Sequence, residues 1–382
     1  MKKLIAILAI LLAFVSCIKD EPRNSECDIL SAEVDESLAE HFHNASQMKI
    51  SDIASNERRI VFVVRSTASL PAAVKVSFTL TEGATIVPES GSAQDFTHGP
   101  VKYTVTSEDG KWHREYEVLF KDPSLVLDKL GFEHFEEETS QIQSTTRYHV
   151  FYEMDDSDSP RNIWASGNAG VAMMNSEWTP EKFPTYATSE GYKGYGLCLN
   201  TQSAGSLGAL FGKPIAAGNL FIGRFILDKV MSNPLETTDF GTPVIKEPAS
   251  VSGWYKYAPG PVFTNKDNKV VEGRTDEANI YGVFWRNTDE EGNEVKLDGS
   301  NVFTSPYIIR KAQVESLPAT DSWTRFEMTF DGERADAGIL AGLGYSFTLV
   351  FSSSKGGDAF EGAVGSTLYV DEVEIKYMED QP

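Results

Sequence analysis

Apolar and polar side chains alternate with a period of two along much of this 382-residue chain. In residues 74–80, for example, Val74 and Val76 are separated by Lys75, and the alternation continues to Leu80. Such alternation predicts a strand with one buried face, because successive side chains of a strand point to opposite sides. The pattern returns in residues 101–105, 116–118, 324–330, 345–352 and 368–373. Only residues 33–43 suggest a turn or two of helix, so we predict an all-β fold.

The first group of strands predicts a small sandwich over residues 26–122. Residues 107–110, Ser-Glu-Asp-Gly, lie between two alternating segments, and an Asp-Gly pair in that position is a strong hairpin signal. Several short strands within about a hundred residues are typical of an immunoglobulin-like (Ig-like) sandwich. The Cys…Trp…Cys core of antibody domains is missing, so the similarity is architectural. We expect this domain to act as a spacer rather than as a binding domain.

The second domain is predicted to span residues 125–382, after the break at Asp122-Pro123-Ser124. It is also rich in strands, and its size favours one jelly-roll or related two-sheet sandwich. Long intervals rich in Gly and Pro separate the strands, notably 153–190 and 228–250. Long loops in a compact domain tend to carry function, so these intervals are candidate locations for a site.

The N-terminal pattern predicts a secretion signal over residues 1–16. Lys2 and Lys3 precede an apolar segment, residues 4–15, that is too short to span a bilayer. Phe14-Val15-Ser16-Cys17 resembles the lipobox of bacterial lipoproteins, which implies that Cys17 carries lipid and that residues 17–25 form a tether. The Lys19-Asp20-Glu21 segment resembles the surface-export signal of lipoproteins in gut-type Gram-negative anaerobes. That resemblance implies an outer membrane lipoprotein exposed at the cell surface; the alternative is an ordinary signal peptide.

The charge excludes one class of partner. Fifty-six acidic residues against 34 basic ones give a formal charge of −22, whereas nucleic-acid affinity depends on Lys and Arg displacing counterions. We therefore expect no nucleic-acid partner. Three cysteines are too few for a disulfide framework. We interpret Cys27 and Cys198 as buried thiols rather than a disulfide.

The standard catalytic motifs are absent from the sequence. There is no His-Glu-x-x-His and no Gly-x-Ser-x-Gly, and the Glu-x-Asp-x-Glu pattern of many sandwich glycosidases is also missing. Hydrolysis of a glycoside needs two carboxyl groups across the sugar. Asp358 and Glu361 are the only pair we name for that role, and we commit to no catalytic residue.

Two segments combine aromatic rings with polar side chains, residues 162–170 and 253–260. Aromatic rings pack against the C–H face of a sugar, while polar groups bond its hydroxyls. The alternative is that these rings belong to the core. With two polar residues from the 351–362 loop, the predicted carbohydrate-binding residues are Trp164, Asn168, Trp254, Tyr255, Lys256, Tyr257, Lys355 and Asp358.

These segments, together with residues 216–223 and 351–371, resemble the putative carbohydrate metabolism domain family. The resemblance covers roughly residues 125–378 and implies a jelly-roll with a sugar pocket, without naming a reaction. Residues 83–91 and the 103–118 hairpin resemble Ig-like modules of surface glycan-uptake lipoproteins. Gly131-Phe132-Glu133 and Val370-Asp371-Glu372-Val373 resemble the terminal strands of jelly-roll carbohydrate-binding modules. That last resemblance implies a structural calcium held by Glu133 and Asp371; the alternative is that both carboxylates cap locally.

We therefore expect a surface lipoprotein that binds carbohydrate in its C-terminal domain, for glycan capture or uptake. Its expected partners are a glycan and the outer membrane, with a transporter or other uptake protein also considered. We expect that the protein requires no cofactor; a structural calcium is the one ion considered. The alternatives are a glycoside hydrolase, which we rank below non-catalytic binding, and a structural or adhesive surface protein.

Overall fold

The computed structural model describes residues 23–42, 45–64, 70–97, 99–121, 128–140, 143–154, 160–173, 175, 177–205, 208 and 212–379. The predicted signal peptide, Cys17 and the boundary at residues 122–124 lie outside the described residues. Within the described ranges, none of the helices has the length and apolar character needed to cross a membrane.

The N-terminal domain is a sandwich of two four-stranded sheets. One sheet has the strand order β2-β1-β4-β6 and the other β3-β8-β7-β5. Short 3-10 helices at Glu36–His41 and Ala45–Met48 lie between β1 and β2. The strands are β1 (Ile29–Val34), β2 (Lys49–Ile50), β3 (Arg59–Val63), β4 (Val74–Leu80), β5 (Thr85–Val87), β6 (Ala93–Gln94), β7 (Val101–Thr106) and β8 (His113–Lys121).

The alternation seen in the sequence places the core between these sheets. Val74 and Val76 of β4 are fully buried, and the intervening Lys75 is exposed. The predicted hairpin is confirmed: β7 and β8 pair antiparallel from Val101↔Val118 to Thr106↔His113. Gly110 in its turn has φ +71, a backbone conformation that glycine adopts at no steric cost.

The described part of the C-terminal domain contains the remaining strands and includes the one-turn α-helices α1 (Asn168–Ala172) and α2 (Ala337–Ala341). The described residues also form 3-10 helices at Pro180–Lys182, Leu227–Lys229, Pro234–Thr237 and Gly357–Ala359. The strands are β9 (Lys129–Leu130), β10 (Phe135–Thr139), β11 (Arg147–Phe151), β12 (Glu153–Met154), β13 (Pro160–Arg161), β14 (Trp164–Ala165), β15 (Thr185–Thr188), β16 (Gly196–Asn200), β17 (Gln202–Ser203), β18 (Ile215–Ala216), β19 (Asn219–Phe225), β20 (Thr238–Phe240), β21 (Thr242–Pro243), β22 (Pro248–Ala258), β23 (Phe263–Thr264), β24 (Asn279–Arg286), β25 (Ile308–Gln313), β26 (Thr320–Thr329), β27 (Asp331–Gly332), β28 (Tyr345–Ser352), β29 (Gly362–Ala363) and β30 (Thr367–Tyr377).

Two of its sheets face each other across the main core, as a jelly-roll requires. The larger sheet has the order β14-β19-β28-β24-β25-β27, with β20 and β21 attached. The smaller sheet has the order β15-β16-β30-β22-β26, with β9 attached. The core packed between them includes Leu349 and Phe351 from the larger sheet and Leu368 and Val370 from the smaller one. The predicted all-β architecture, a small sandwich followed by a larger one, is thus confirmed.

The larger sheet is buried on both of its faces. In β28, Leu349 belongs to the main core, while the next residue, Val350, belongs to a second cluster on the outer face. The loops after β19 and β24 cover that face. We call this second cluster the outer apolar layer; it consists of Phe221, Phe240, Tyr281, Val283, Trp285, Leu297, Val302 and Val350.

One covering loop crosses the outer apolar layer at Gly241. A Cβ atom there would lie 2.1 Å from Cη2 of Trp285, and the residue has φ +87. Glycine is required at this position because a side chain would both clash with the indole and strain the backbone. The loop can therefore lie directly on the ring, which is 1% exposed.

Trp164 lies in the main core and is 5% exposed. Its ring centroid is 5.7 Å from that of Phe132 and 6.1 Å from that of Phe351. The indole Nε1 donates a hydrogen bond of 2.8 Å to Oε1 of Glu153, which satisfies the one polar atom of the ring. Burial raises the pKa of the Glu153 carboxyl to about 7.

A buried carboxylate ties the loop before β30 to the domain. The Oδ2 atom of Asp276 accepts hydrogen bonds from Ser354 Oγ (2.6 Å), Ala363 N (2.7 Å) and Ser366 Oγ (2.7 Å). Its Oδ1 atom accepts from Glu277 N at 2.9 Å. Because these donors span residues 354–366, the single carboxylate holds both ends of that loop in place.

We expect the variant Glu153→Gln to change how stability depends on pH. The pKa of Glu153 in the folded state lies above its usual 4.5, because burial favours the neutral carboxyl. Wild-type protein therefore loses unfolding free energy as the pH rises from about 4.5 to about 7, and the loss stays constant above that pH. Glutamine stays neutral and keeps an acceptor for Trp164. The unfolding free energy of the variant should exceed that of wild type by on the order of 3 kcal/mol at pH 8, and by little at pH 4.

Denaturant unfolding at several pH values measures this difference. Glu137→Gln is the control, because Glu137 is half-exposed and pairs with Arg147 on the surface. A constant difference between Glu153→Gln and wild type across the pH range would contradict the expectation.

We expect Asp276→Ala to lower the unfolding free energy by about 3 kcal/mol or more, because it removes the acceptor of three buried donors and of the part-buried Glu277 N–H. Thermal and urea unfolding would measure the loss, with Asp267→Ala at an exposed site as the control. Asp276→Asn should cost less, since it retains one acceptor oxygen. Equal stability of Asp276→Ala and the control would show that the carboxylate does not anchor the loop.

Candidate functional site

A cavity of about 240 Å³ opens on the outer face of the larger sheet, at the border of the outer apolar layer. Its floor is a row of three side chains from adjacent strands. Phe221 of β19 and Tyr281 of β24 both pair with Val350 of β28, on opposite sides of that strand. The antiparallel register therefore brings two aromatic rings to one face with a small aliphatic residue between them.

A polar row lies beside this apolar row, two residues further along the strands. Asn219 and Asn279 both pair with Ser352. The Oδ1 atom of Asn279 accepts a 2.7 Å hydrogen bond from Gln313 Nε2. Oδ1 of Asn219 accepts one of 2.9 Å from Gly167 N. Nearby residues of the same domain thus orient both amides. Asn219, Asn279 and Ser352 all line the cavity.

The walls come from the covering loops and are mainly apolar. Phe303 is 43% exposed, and its ring centroid lies 4.7 Å from that of Tyr281. On another side the ammonium of Lys213 lies 5.9 Å from the ring centroid of Phe360. The remaining apolar wall residues include Phe225, Val230, Leu235, Phe240 and Val302.

Charged residues of the 353–366 loop stand at the cavity. Lys355 and Asp358 both line it and are exposed, and Nζ of Lys355 lies 3.5 Å from Oε2 of Glu277. The pKa of the Tyr281 hydroxyl is raised, mainly by burial and in addition by the charge of Asp358. The cavity therefore offers a neutral phenol, amides, a hydroxyl, two cations (Lys213 and Lys355) and one anion around an aromatic floor.

Only one carboxylate, Asp358, is among the described residues that line the cavity. Glu361, the other acid named from the sequence, is not among them. It forms an ion pair with Arg274 at 3.4 Å instead. The two predicted acids therefore do not face each other across this cavity.

Asn168, Lys355 and Asp358 are the predicted binding residues that the fold brings to the cavity. Asn168 is 1% exposed, and its amide is already occupied: Nδ2 donates to Thr185 O at 2.7 Å and Oδ1 accepts from Thr185 N at 3.2 Å. Asn168 thus holds a wall of the cavity together, whereas Lys355 and Asp358 have exposed polar groups.

The four predicted stacking residues do not form one surface. Trp164, Tyr255 and Tyr257 belong to the main core. The reason is the period of β22: its odd-numbered positions 255 and 257 point inward, while Trp254 and Lys256 lie on the outer face of the smaller sheet. The sequence-based grouping of these residues in one pocket is corrected accordingly, because two sheets and the core separate Trp254 from the cavity.

Glu133 and Asp371 both hold the loop of residues 191–195. Oδ2 of Asp371 accepts from Lys193 N at 2.9 Å, and Oε2 of Glu133 accepts from Tyr195 N at 3.1 Å. Burial is the main cause that raises the pKa of Asp371 to about 6. Calcium needs several free oxygen ligands, and no group of three or more candidate metal-ligating side chains occurs in the described ranges. These contacts fit local caps better than a calcium site, which stays a prediction.

The sequence analysis missed the floor of the cavity. The signal was present in residues 279–285 and 345–351, which are apolar at both parities apart from a few small or polar residues. Such a segment is typical of a strand buried on both faces. Asn279 and Ser352 place polar side chains on the outer face of these otherwise apolar strands. That departure from the apolar pattern is a signal for a site.

Comparison with known proteins agrees with this architecture. Residues 132–376 match the family described as "Putative carbohydrate metabolism domain". Residues 41–119 match the N-terminal domain of surface glycan-binding proteins. No curated protein matches the chain.

The solved structures that are similar to the chain include two that are each described as a putative glycoside hydrolase. One, from Bacteroides thetaiotaomicron, is 37% identical with a TM-score of 0.80, over 95% of this chain and 100% of that chain. The other, from Bacteroides vulgatus, is 38% identical with a TM-score of 0.60, over 66% of this chain and 98% of that one. By the extent of the domain match and the identity to these structures, the chain belongs to the putative carbohydrate metabolism domain family.

Proposed function

We propose that the protein binds a glycan non-catalytically in the cavity on the outer face of the larger sheet. The observation that supports this most is the pairing of two rows, one aromatic and one polar, on neighbouring positions of the same three strands. A sugar needs both kinds of contact, because its ring has an apolar C–H face and a hydroxyl edge. Phe221 and Tyr281 supply the first, and Asn219, Ser352 and Asn279 supply the second.

The size of the cavity favours the end of a glycan over the middle of a long chain. At about 240 Å³ it is smaller than the roughly 300–1,000 Å³ of pockets that enclose drug-sized ligands. A chain end with one or two sugar rings fits such a volume, and Lys355 and Asp358 at the cavity would contact the next unit.

We also propose that the protein acts at the cell surface, anchored by lipid on Cys17. The match of residues 41–119 to surface glycan-binding proteins supports a surface location. A glycan captured there would pass to a transporter or other uptake protein. In this arrangement the N-terminal sandwich is a spacer that holds the cavity away from the membrane.

Hydrolysis is the second candidate, because both similar structures are described as putative glycoside hydrolases. Both retaining and inverting mechanisms need two carboxyl groups flanking the scissile bond. Asp358 is the single carboxylate among the described cavity-lining residues. This count is why we place binding ahead of hydrolysis.

Binding in the cavity predicts that Phe303→Ala lowers glycan affinity about tenfold, or ~1.4 kcal/mol, by removing an exposed wall ring. Asp358→Asn should also weaken binding while leaving the shape of the cavity unchanged. A glycan array followed by titration calorimetry on the best ligand measures both effects. Trp112→Ala is the control, because Trp112 is an exposed aromatic residue of the N-terminal domain. The proposal would be overturned if folded wild-type protein bound no glycan. It would also be overturned if Trp112→Ala lost as much affinity as Phe303→Ala.

For hydrolysis we expect no reducing sugar to be released from host or plant polysaccharides by wild-type protein. Release that Asp358→Asn or Glu361→Gln abolishes would make the protein a hydrolase and reverse the order of the two candidates. Release that survives both substitutions would point to contaminating activity, which a repurified sample would lose.

A further inference from the structure

The outer face of the smaller sheet carries a group of aromatic side chains that the cavity does not use. We call it the aromatic platform and define it as Tyr186, Tyr192, Trp254, Lys256, Trp323 and Tyr369. It lies on the opposite side of the C-terminal sandwich from the cavity, with the main core between them. A ligand on the platform would therefore not touch a ligand in the cavity, and each could bind without the other.

A cross-strand row forms one part of the platform. Tyr186 pairs with Cys198, Cys198 with Tyr369, and Tyr369 with Lys256, across four adjacent strands. Cys198 is buried and is a free thiol, as predicted from the sequence. As the small residue of the row, it leaves space for the two tyrosine rings on either side.

Tyr192 forms the exposed part of the platform. Its ring stacks on Trp254 with centroids 4.3 Å apart and an interplanar angle of 8°, and it meets Trp323 edge-on at 6.1 Å. Trp254 covers only one face of the Tyr192 ring, and the residue is 45% exposed. An aromatic ring with one supported face and a solvent-exposed side is the kind of surface on which a sugar ring packs.

The loop that carries Tyr192 is held by carboxylates at two points, one and three residues after Tyr192. Asp371 accepts from the Lys193 amide, and Glu133 accepts from the Tyr195 amide. Gly194, with φ +67, allows the tight turn between them. The ring is therefore positioned before any ligand arrives, which lowers the ordering cost of binding.

Lys256 adds a positive charge to the platform. Its ammonium lies 4.8 Å from the ring centroid of Trp323 and 4.6 Å from that of Tyr369. Among the described residues no carboxylate lies within ion-pairing distance of it. Glu190, which precedes the loop of residues 191–195, raises the pKa values of Tyr186, Cys198 and Tyr369 along the row, yet it forms no ion pair with Lys256. A cation held between rings, without an acidic partner, is placed to receive an anionic group.

We infer that the aromatic platform is a second carbohydrate site, distinct from the cavity, for saccharides that carry a carboxylate or sulfate. The sugar ring would pack on Tyr192, and its acidic group would pair with Lys256. The formal charge of −22 disfavours nonspecific binding of an anionic polymer, so retention of such a polymer would point to a local cationic site.

Affinity gel electrophoresis with the full chain tests this inference. The probes are polygalacturonate, which carries carboxylates, dextran sulfate, which carries sulfates, and uncharged dextran. We expect retardation in at least one acidic gel and none in dextran, and the pair of acidic gels tells which anion is preferred. Tyr192→Ala and Lys256→Met should each lower the affinity about tenfold in the gel that retards wild type.

Two controls separate this site from charge loss and from the cavity. Lys376→Met removes an exposed lysine from β30 of the same sheet, and Phe303→Ala alters only the cavity wall. Both should be retarded like wild type, with folding checked by circular dichroism. No retardation of wild type in either acidic gel, equal retardation in dextran, or unchanged retardation of Tyr192→Ala would overturn the inference. Loss in Phe303→Ala alone would assign the acidic ligand to the cavity instead.

Discussion

The architecture of the C-terminal domain depends on burying both faces of one sheet. Strand β28 places Leu349 in the main core and Val350 in the outer apolar layer, so the larger sheet needs a second cover. The long loops after β19 and β24 supply that cover. Where the loops stop, an aromatic and a polar row remain open between them, and this gap is the cavity. The site is therefore a consequence of how the sheet is covered.

Two of the buried carboxylates among the described residues, Asp276 and Asp371, position loops. Asp276 holds the loop that bears Lys355 and Asp358, and Asp371 holds the loop that bears Tyr192. In each case a carboxylate removed from water accepts backbone or hydroxyl hydrogen bonds, which offsets the cost of burying its charge. The many acidic residues of the chain thus include structural anchors as well as surface charge. The sequence alone does not distinguish such anchors from acids that could act on a substrate.

The two candidate surfaces differ in the way aromatic rings are presented. In the cavity, Phe221 and Tyr281 lie under covering loops and offer a mainly enclosed floor. On the platform, Tyr192 rests on Trp254 and remains open to solvent. Enclosure favours recognition of a chain end, whereas an open ring can contact a unit within a chain. Family membership is consistent with carbohydrate recognition and does not by itself distinguish these two modes.

The sequence by itself determined the strands, the hairpin at Asp109-Gly110, the order of a small and a large sandwich, and the family. These features are local or periodic: alternation reports one buried face, and a turn is encoded in a few adjacent residues. It did not determine which aromatic residues are exposed. Tyr255 and Lys256 are neighbours in the chain, yet one is in the core and the other is on the platform. Only the tertiary structure decided this, because strand register and loop coverage bring together residues as distant as Asn219, Asn279 and Ser352.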